Sequence, residues 1–282
     1  MTPEQRDWEP GIVGVFSRAA GTYDRVGPQV FAHFGERLVE RSQLAPGGAV
    51  LDVAAGRGAV LFPAARQVGP GGRVIGTDLS AAMVREAGED IRSTGIQHIE
   101  FRQMDAEHLD FPDASFDQVL CGFAVWFFPH PEQALHEFFR VLKPGGRVGL
   151  TTWTADCPFL AWYDRELASS MPQGAPPVAR RGQGPRFDTP ARLEAALQQT
   201  GFVDIDITAE TADFIYADDE EWWLSLWSNG SRRRLEVLEA PELAQVKTEM
   251  LHRVQALKRG GWNSHPLASF GRLCSKTRSV IR

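Results

Sequence analysis

Cysteine is scarce. Cys121, Cys157 and Cys274 are the only three in 282 residues. Their odd number and wide spacing exclude a disulfide framework and offer no paired metal ligands. No apolar run approaches the roughly 18 residues that read as a membrane span. Met1 to Asp7 lacks the basic-then-apolar order of a secretory leader, so the expectation is a cytoplasmic protein. Basic charge is in deficit as well. Thirty Lys and Arg stand against 36 Asp and Glu, a formal net charge of −6, which opposes a nucleic-acid partner. What is present is ordinary globular material: 43% hydrophobic and 23% charged residues. The length fits one large domain or two, enough to bury a core without staples.

A tetrapeptide pattern punctuates the first half. Ala45-Pro46-Gly47-Gly48, Gly69-Pro70-Gly71-Gly72 and Lys143-Pro144-Gly145-Gly146 each precede a short apolar run: AVLDVAA, RVIGTDL and RVGLTTW. Pro-Gly-Gly ends a helix and turns the chain. The runs are rich in Val, Ile and Leu, as suits strands buried on both faces. Helices are expected at Ala59 to Val68, Ser80 to about Thr94 and Pro131 to Leu142, with further strands at Ile99–Gln103 and Phe116–Gly122. Such alternation predicts an α/β fold around a parallel sheet.

The flanks differ. Residues 1–44 read as an N-terminal helical cap, with a helix near Gln29–Gln43. Residues 155–187 read as irregular, with five prolines. Asp188-Thr189-Pro190 predicts a helix to Thr200, ended by Gly201. Val203–Thr208 alternates like a strand, with a possible extension towards Tyr216. Residues 218–260 read as mostly helical, broken near Gly230 and Pro241, and Leu267–Cys274 as a last strand. The organisation expected is a single domain, with a cofactor-binding core at 45–154 and substrate-cap insertions at 155–187 and 218–260.

The sharpest signal is Val50-Leu51-Asp52-Val53-Ala54-Ala55-Gly56-Arg57-Gly58, a strand ending in a small-residue turn. In open α/β sheets ligands bind at the carboxyl ends of strands. A dinucleotide fingerprint needs glycine or alanine where Leu61 stands, and no phosphate loop is present. Asp52 repels pyrophosphate and suits an ammonium group. Asp78, 22 residues after Gly56, ends the second strand and can accept from ribose hydroxyls. Asp105 can accept from an adenine amino group, with Met104 and Leu79 as apolar walls. Ammonium, ribose and adenine without phosphate describe S-adenosyl-L-methionine.

With VLDVAAGRG, VIGTDLS, MDAEHLDFPDASFDQVLCGF and RVLKPGGRVGLTTW in order, the chain resembles the class I S-adenosylmethionine-dependent methyltransferases, of the type similar to ubiquinone/menaquinone-biosynthesis enzymes. The resemblance runs from about Phe16 to Lys276. Ala54 departs from it, because many members carry glycine there. It implies a Rossmann-like, mostly parallel sheet of seven strands with a helical cap. It places Asp52, Ala54, Gly56 and Gly58 around the methionine moiety, Asp78 on the ribose, and Leu79 and Met83 beside the adenine. Met104, Asp105 and Ala106 contact the adenine. Cys121, Gly122 and Phe123 lie near the sulfonium, and Tyr23 helps close over the cofactor.

The acceptor side is read from the chain alone. His130, after the fourth strand, is the nearest candidate base by chain order; the competing reading is a surface histidine capping the Pro131 helix. Glu166, Asp156 and His33 are further candidates. Trp126, Trp153, Trp222 and Trp227 are candidate substrate walls, or else core. They favour a hydrophobic small-molecule acceptor methylated on oxygen or carbon. Arg180, Arg181 and Arg186, with Arg232, Arg233 and Arg234, leave an anionic acceptor such as a prenyl diphosphate as an alternative. A non-methylating enzyme such as a cyclase that keeps the cofactor site is another. No metal is implied, and a monomer and a homodimer are equally open.

Overall fold

The computed structural model describes residues 3–154, 157–172, 187–259 and 269–281. Two helices, α1 (Pro3–Ala19) and α2 (Val30–Ser42), precede the sheet. Then β1 (Ala49–Val53), α3 (Leu61–Val68), β2 (Arg73–Asp78), α4 (Ala81–Thr94), β3 (Ile99–Gln103), β4 (Phe116–Gly122), α5 (Pro131–Val141) and β5 (Leu142–Trp153) alternate. The second half carries α6 (Pro158–Ser170), α7 (Pro190–Thr200), β6 (Glu210–Ile215), α8 (Asp219–Ser225), α9 (Arg232–Leu235), α10 (Ala240–Arg259) and β7 (Ser269–Ile281).

The sheet runs 3-2-1-4-5-7-6. Strands β1 to β5 are parallel, and β7 lies antiparallel between β5 and β6. The expected α/β sheet, mostly parallel, is therefore present: five parallel strands and an antiparallel pair. Strand order reverses between β1 and β4, which opens a crevice at their carboxyl ends.

Local chemistry explains most boundaries. Ser80 caps α4 by accepting from the Met83 amide at 3.3 Å. Thr189 caps α7, and Gly201 ends it at φ +105°. Gly35 of α2 sits against the backbone after β1; a Cβ there would lie 2.2 Å from the Ala59 oxygen. Only glycine lets this helix approach so closely. Leu51, Val53, Ile75, Val119 and Leu150 fill the space between the sheet and α5 and α7. Leu38, Leu61 and Leu120 fill the other face.

Three expectations need correction. Much of the stretch expected to be irregular forms α6, because Pro158 takes the first helical turn, where a missing N–H costs nothing. Residues 155, 156 and 173–186 of that stretch, with Arg180, Arg181 and Arg186 among them, lie outside the described residues. Val203–Thr208 is not a strand. Asp204 sits at φ +53° and Val203 is 55% exposed; Ile205 makes an isolated bridge, and the continuous strand begins only at Glu210. The last strand starts at Ser269 and runs well past Cys274, to Ile281.

Candidate functional site

The end of β1 curls sharply. Ala54, Gly56 and Gly58 all have positive φ, at 53°, 56° and 88°. The left-handed region penalises an L-residue by roughly 1–2 kcal/mol, so Ala54 holds a strained position that its neighbours must enforce. Asp78 of β2 supplies much of that restraint. One carboxylate oxygen accepts from the Gly56 amide and the other from the Ser80 amide, each at 2.9 Å. The Ala55 amide also donates to the Thr77 carbonyl at 2.8 Å. Burial pushes the Asp78 carboxyl up to about 6, while those amides pull the other way. Two amide bonds still leave a carboxylate with acceptor capacity.

Asp52 lies deeper. It is fully buried, and beyond a weak approach of the Leu61 amide neither carboxylate oxygen has a well-formed hydrogen bond among the described residues. Burial first, and the Asp78 charge second, raise its carboxyl well above the usual range. A charge-bearing group left in this state is costly unless something pairs with it.

Two small cavities flank the loop. One is walled by Ile12, Phe16, Tyr23, Ala54, Gly56, Asp78, Leu79, Met83, Gly122 and Phe123. The other reaches Asp52 past Gly35 and Thr151. Tyr23 closes both, and a Cβ on Gly56 would meet its ring at 3.4 Å. Burial, then the Asp24 and Asp78 charges, push the Tyr23 phenol up, so it stays protonated.

Gly58 shapes the turn without lining either cavity, and four other expected residues also stand outside these walls. Cys121 is fully buried inside the sheet, and burial followed by the Asp52 charge pushes its thiol up. Met104 tethers β3 to β2 through its amide, 3.0 Å from the Asp78 carbonyl. Asp105 turns back on its own loop, accepting from the Glu107 amide at 2.9 Å and facing His108 Nδ1 at 3.2 Å. Ala106 packs into the sheet core.

A larger cavity lies on the other side of Tyr23. Its aromatic walls include Phe31, Phe123, Trp126, Trp153, Tyr163, Tyr216 and Trp222. Tyr23 stacks on Phe31 with centroids 5.1 Å apart, and Phe123 on Trp153 at 4.3 Å. The Trp126 indole donates to the Thr152 hydroxyl. Polar groups are few: Asp24, Asn229, Arg233, Arg234 and several serines among them. Asp24, at φ +54°, accepts from the Phe31 and Ala32 amides at 3.1 and 2.7 Å and so caps α2 from a distance. Burial pushes its carboxyl up to about 6. Arg234 pairs with Asp164 at 2.7 Å.

Other acceptor-side expectations fail on position. His130 is half exposed and does not line this cavity. Its backbone amide and its Nδ1, at 2.6 and 3.0 Å, engage buried Glu107 instead. It occupies the first cap position of α5 without a side-chain cap bond. Glu166 lies outside the cavity on α6, its carboxyl held below the usual range by Arg165 and then Arg253. Trp227 is also outside, under the Arg232 guanidinium at 5.5 Å. His33 packs edge-on against Phe34 and Phe214. Asp156 lies outside the described residues.

Asp24 and Tyr216 are wall residues that the sequence did not single out. Asp24 beside the flagged Tyr23 was the one local signal.

A family model for a methyltransferase domain matches residues 50–146. Nocamycin O-methyltransferase of Saccharothrix syringae is 33% identical over 257 residues, covering 88% of this chain and 92% of that protein. The chain belongs to the class I S-adenosylmethionine-dependent methyltransferases. Aklanonic acid methyltransferase DauC of a Streptomyces species is 38% identical over 170 residues, covering 60% of this methyltransferase and 77% of that one. The crystal structure of the cyclase SpnF shares the fold at a TM-score of 0.59 and 19% identity, covering 99% and 97% of the two chains. S-adenosyl-L-methionine is the cofactor of this methyltransferase. Among its described residues no helix is long and apolar enough to cross a membrane.

Proposed function

We propose that this methyltransferase alkylates oxygen or carbon of a hydrophobic aromatic small molecule bound in the cavity beyond Tyr23. The observation that carries the reading is a shared wall: Tyr23 and Phe123 line both the cavities at the β1 loop and the aromatic cavity. Whatever sits on one side is next to whatever sits on the other.

The residues present fit the cofactor. Asp52, buried with no charged partner and no well-formed hydrogen bond among the described residues, matches an ammonium group. The spare acceptor capacity of Asp78 matches ribose hydroxyls, and Leu79 and Met83 supply an apolar face for adenine. Gly56 leaves the space a side chain would fill. We assign Met104, Asp105, Ala106 and Cys121 to a supporting layer behind that wall, and residues 45–154 to a core capped by 1–44 and 218–260. When bound, S-adenosylmethionine supplies an electrophilic methyl group. The chain aligns the acceptor with it and keeps water out, through Phe123, Trp153 and Trp222.

Arg233 and Arg234 line this aromatic wall, Arg234 already in a pair with Asp164, and the two guanidiniums favour an acceptor whose acidic group joins that pairing. No histidine lines the cavity among the described residues, and the carboxylate of Asp24 is committed to two amides. An acceptor already ionised near neutral pH needs no general base. That fits an acid of the kind named in the aklanonic acid relative.

Calorimetry with S-adenosylmethionine and S-adenosylhomocysteine, then mass spectrometry after incubation with polycyclic aromatic acids and their amides, tests the reading. A product heavier by one methyl from the acids is expected. Binding without consumption of S-adenosylmethionine in any incubation would transfer the case to a non-methylating reaction such as cyclisation.

A further inference from the structure

The end of α1 carries Tyr23 into its place, and two arginines from opposite sides hold that end. Arg57 is the residue between the two glycines of the β1 loop, and its side chain is only 7% exposed. It donates to the carbonyls of Ala20 and Gly21 at 2.9 and 3.0 Å. Its other nitrogens bond Asp90 of α4 at 3.0 and 2.7 Å, and Glu86 faces the carbonyl-bound nitrogen at 3.3 Å. Arg232 of α9 reaches the same helix end from the cap. It donates to the Arg18 carbonyl at 3.1 Å and bonds Glu236 at 3.2 Å. Glu236 in turn holds the Arg18 guanidinium.

A helix leaves its last four carbonyls without partners. Here Arg232 serves the last-turn carbonyl of Arg18, the Thr22 amide serves Ala19 at 2.9 Å, and Arg57 serves Ala20 and Gly21 in the turn that follows. Cationic groups at this end also suit the helix dipole. The helix end and the turn after it thus draw one group from the β1 loop and one from the acceptor cap.

We propose that Arg57 and Arg232 are positioning residues that clamp the end of α1, so that Tyr23 closes over the cofactor only when the β1 loop and the cap are both in place. The proposal rests on the cofactor assignment above and adds the coupling. Arg57 carries more of it, because its guanidinium is buried and its carboxylate partner is shared with Arg25. Closure over the cofactor then completes the aromatic cavity, since Phe16 and Tyr23 line both sides.

A mutant cycle read by calorimetry with S-adenosylhomocysteine tests the clamp. Arg57→Met and Tyr23→Ala each lose about tenfold or more in affinity, and Arg232→Met about threefold. The double variant Tyr23→Ala with Arg57→Met is expected within about twofold of Tyr23→Ala alone, because Arg57 acts through Tyr23. Arg57→Lys recovers part of the loss. Multiplying losses in the double variant, or unchanged affinity in Arg57→Met, overturns the clamp. Hydrogen exchange on the unmodified protein needs no variant to fold. S-adenosylhomocysteine is expected to slow exchange across residues 12–25; unchanged exchange despite binding also overturns it. Failure of the unmodified protein to bind S-adenosylhomocysteine overturns the cofactor assignment, and the clamp with it.

Discussion

The β1 loop and the aromatic cavity meet at Tyr23 and Phe123, yet they are held in opposite ways. The loop is held by backbone groups: amides of Gly56 and Ser80 on one carboxylate, and three residues at positive φ within five positions. The cavity is held by side chains that arrive from α2, the turn after β4, β5, α6 and α8, many of them packed ring against ring. A wall made of backbone tolerates few sequences and serves one ligand. A wall made of side chains can be rebuilt residue by residue and so can serve many acceptors. The contrast implies that variants on one wall should leave the other's ligand nearly alone.

The largest expected effect breaks the backbone wall. Asp78→Ala removes both amide acceptors and the proposed ribose acceptor. Hydrogen bonds to charged groups contribute about 1.5–3 kcal/mol each, so affinity for S-adenosylhomocysteine should fall at least about 100-fold. Calorimetry reads the loss, and far-ultraviolet circular dichroism checks that the chain still folds. Retained affinity would end the assignment of Asp78.

A smaller effect sharpens the same wall through pH. Asp78 is pushed up to about 6 and Asp52 well above its ordinary value, both by burial. A folded-state carboxyl raised above its unfolded value stabilises the fold at low pH. For Asp78 that contribution is fully present below about pH 4 and lost as pH rises through about 6. A bound ammonium and ribose favour the charged carboxylates, so binding should release protons. Affinity for S-adenosylhomocysteine should rise by up to about tenfold between pH 5 and 7. Calorimetry in buffers of different ionisation enthalpy measures the proton release, and Asp52→Asn should remove part of it. A flat profile would mean that neither carboxylate meets a charged or hydroxyl group of the cofactor.

The two walls were unequally legible in the sequence, for the same physical reason. Asp52, Gly56, Gly58 and Asp78 stood out because backbone geometry ties residue type to chain position: a positive φ calls for glycine, and a strand end exposes its carboxylate to the next loop. Strands β3 and β4 came out at their observed bounds because turns bracket short apolar runs. Asp24 gave no such sign, since its partners are amides seven and eight residues away. Nothing in the sequence marks Arg57, which reaches 36 and 37 residues back along the chain. Trp222 and Trp227 lie on neighbouring turns, yet only the first lines the cavity. Composition can count tryptophans but cannot aim them. Val203–Thr208 failed differently: its alternation was real, but Asp204 breaks the extended path, so the segment holds a single bridge at Ile205 and no continuous strand.

On the side-chain wall, Trp153→Ala opens the stack with Phe123 and widens the cavity. The KM for the methylated acceptor should rise about fivefold to tenfold, while affinity for S-adenosylhomocysteine moves less than about threefold. Equal losses on both ligands would show that the walls are not separable at Phe123.

The smallest effects are expected at His130 and Glu166, and they bear on the chemistry. Each has the residue type of a general base. Each is spoken for: His130 by buried Glu107, Glu166 by Arg165 and Arg253. Neither lines the aromatic cavity. His130→Ala and Glu166→Gln should therefore keep kcat within about twofold, with an unchanged pH–rate profile. A base that accepts a proton in the transition state contributes about 100-fold or more, so the two outcomes are far apart. Loss of that size at His130 would require the loop at the end of β4 to swing the imidazole into the cavity when the acceptor binds. Near-normal turnover in both variants would leave ionisation to the acceptor itself, which is what two arginines on an aromatic wall would assist.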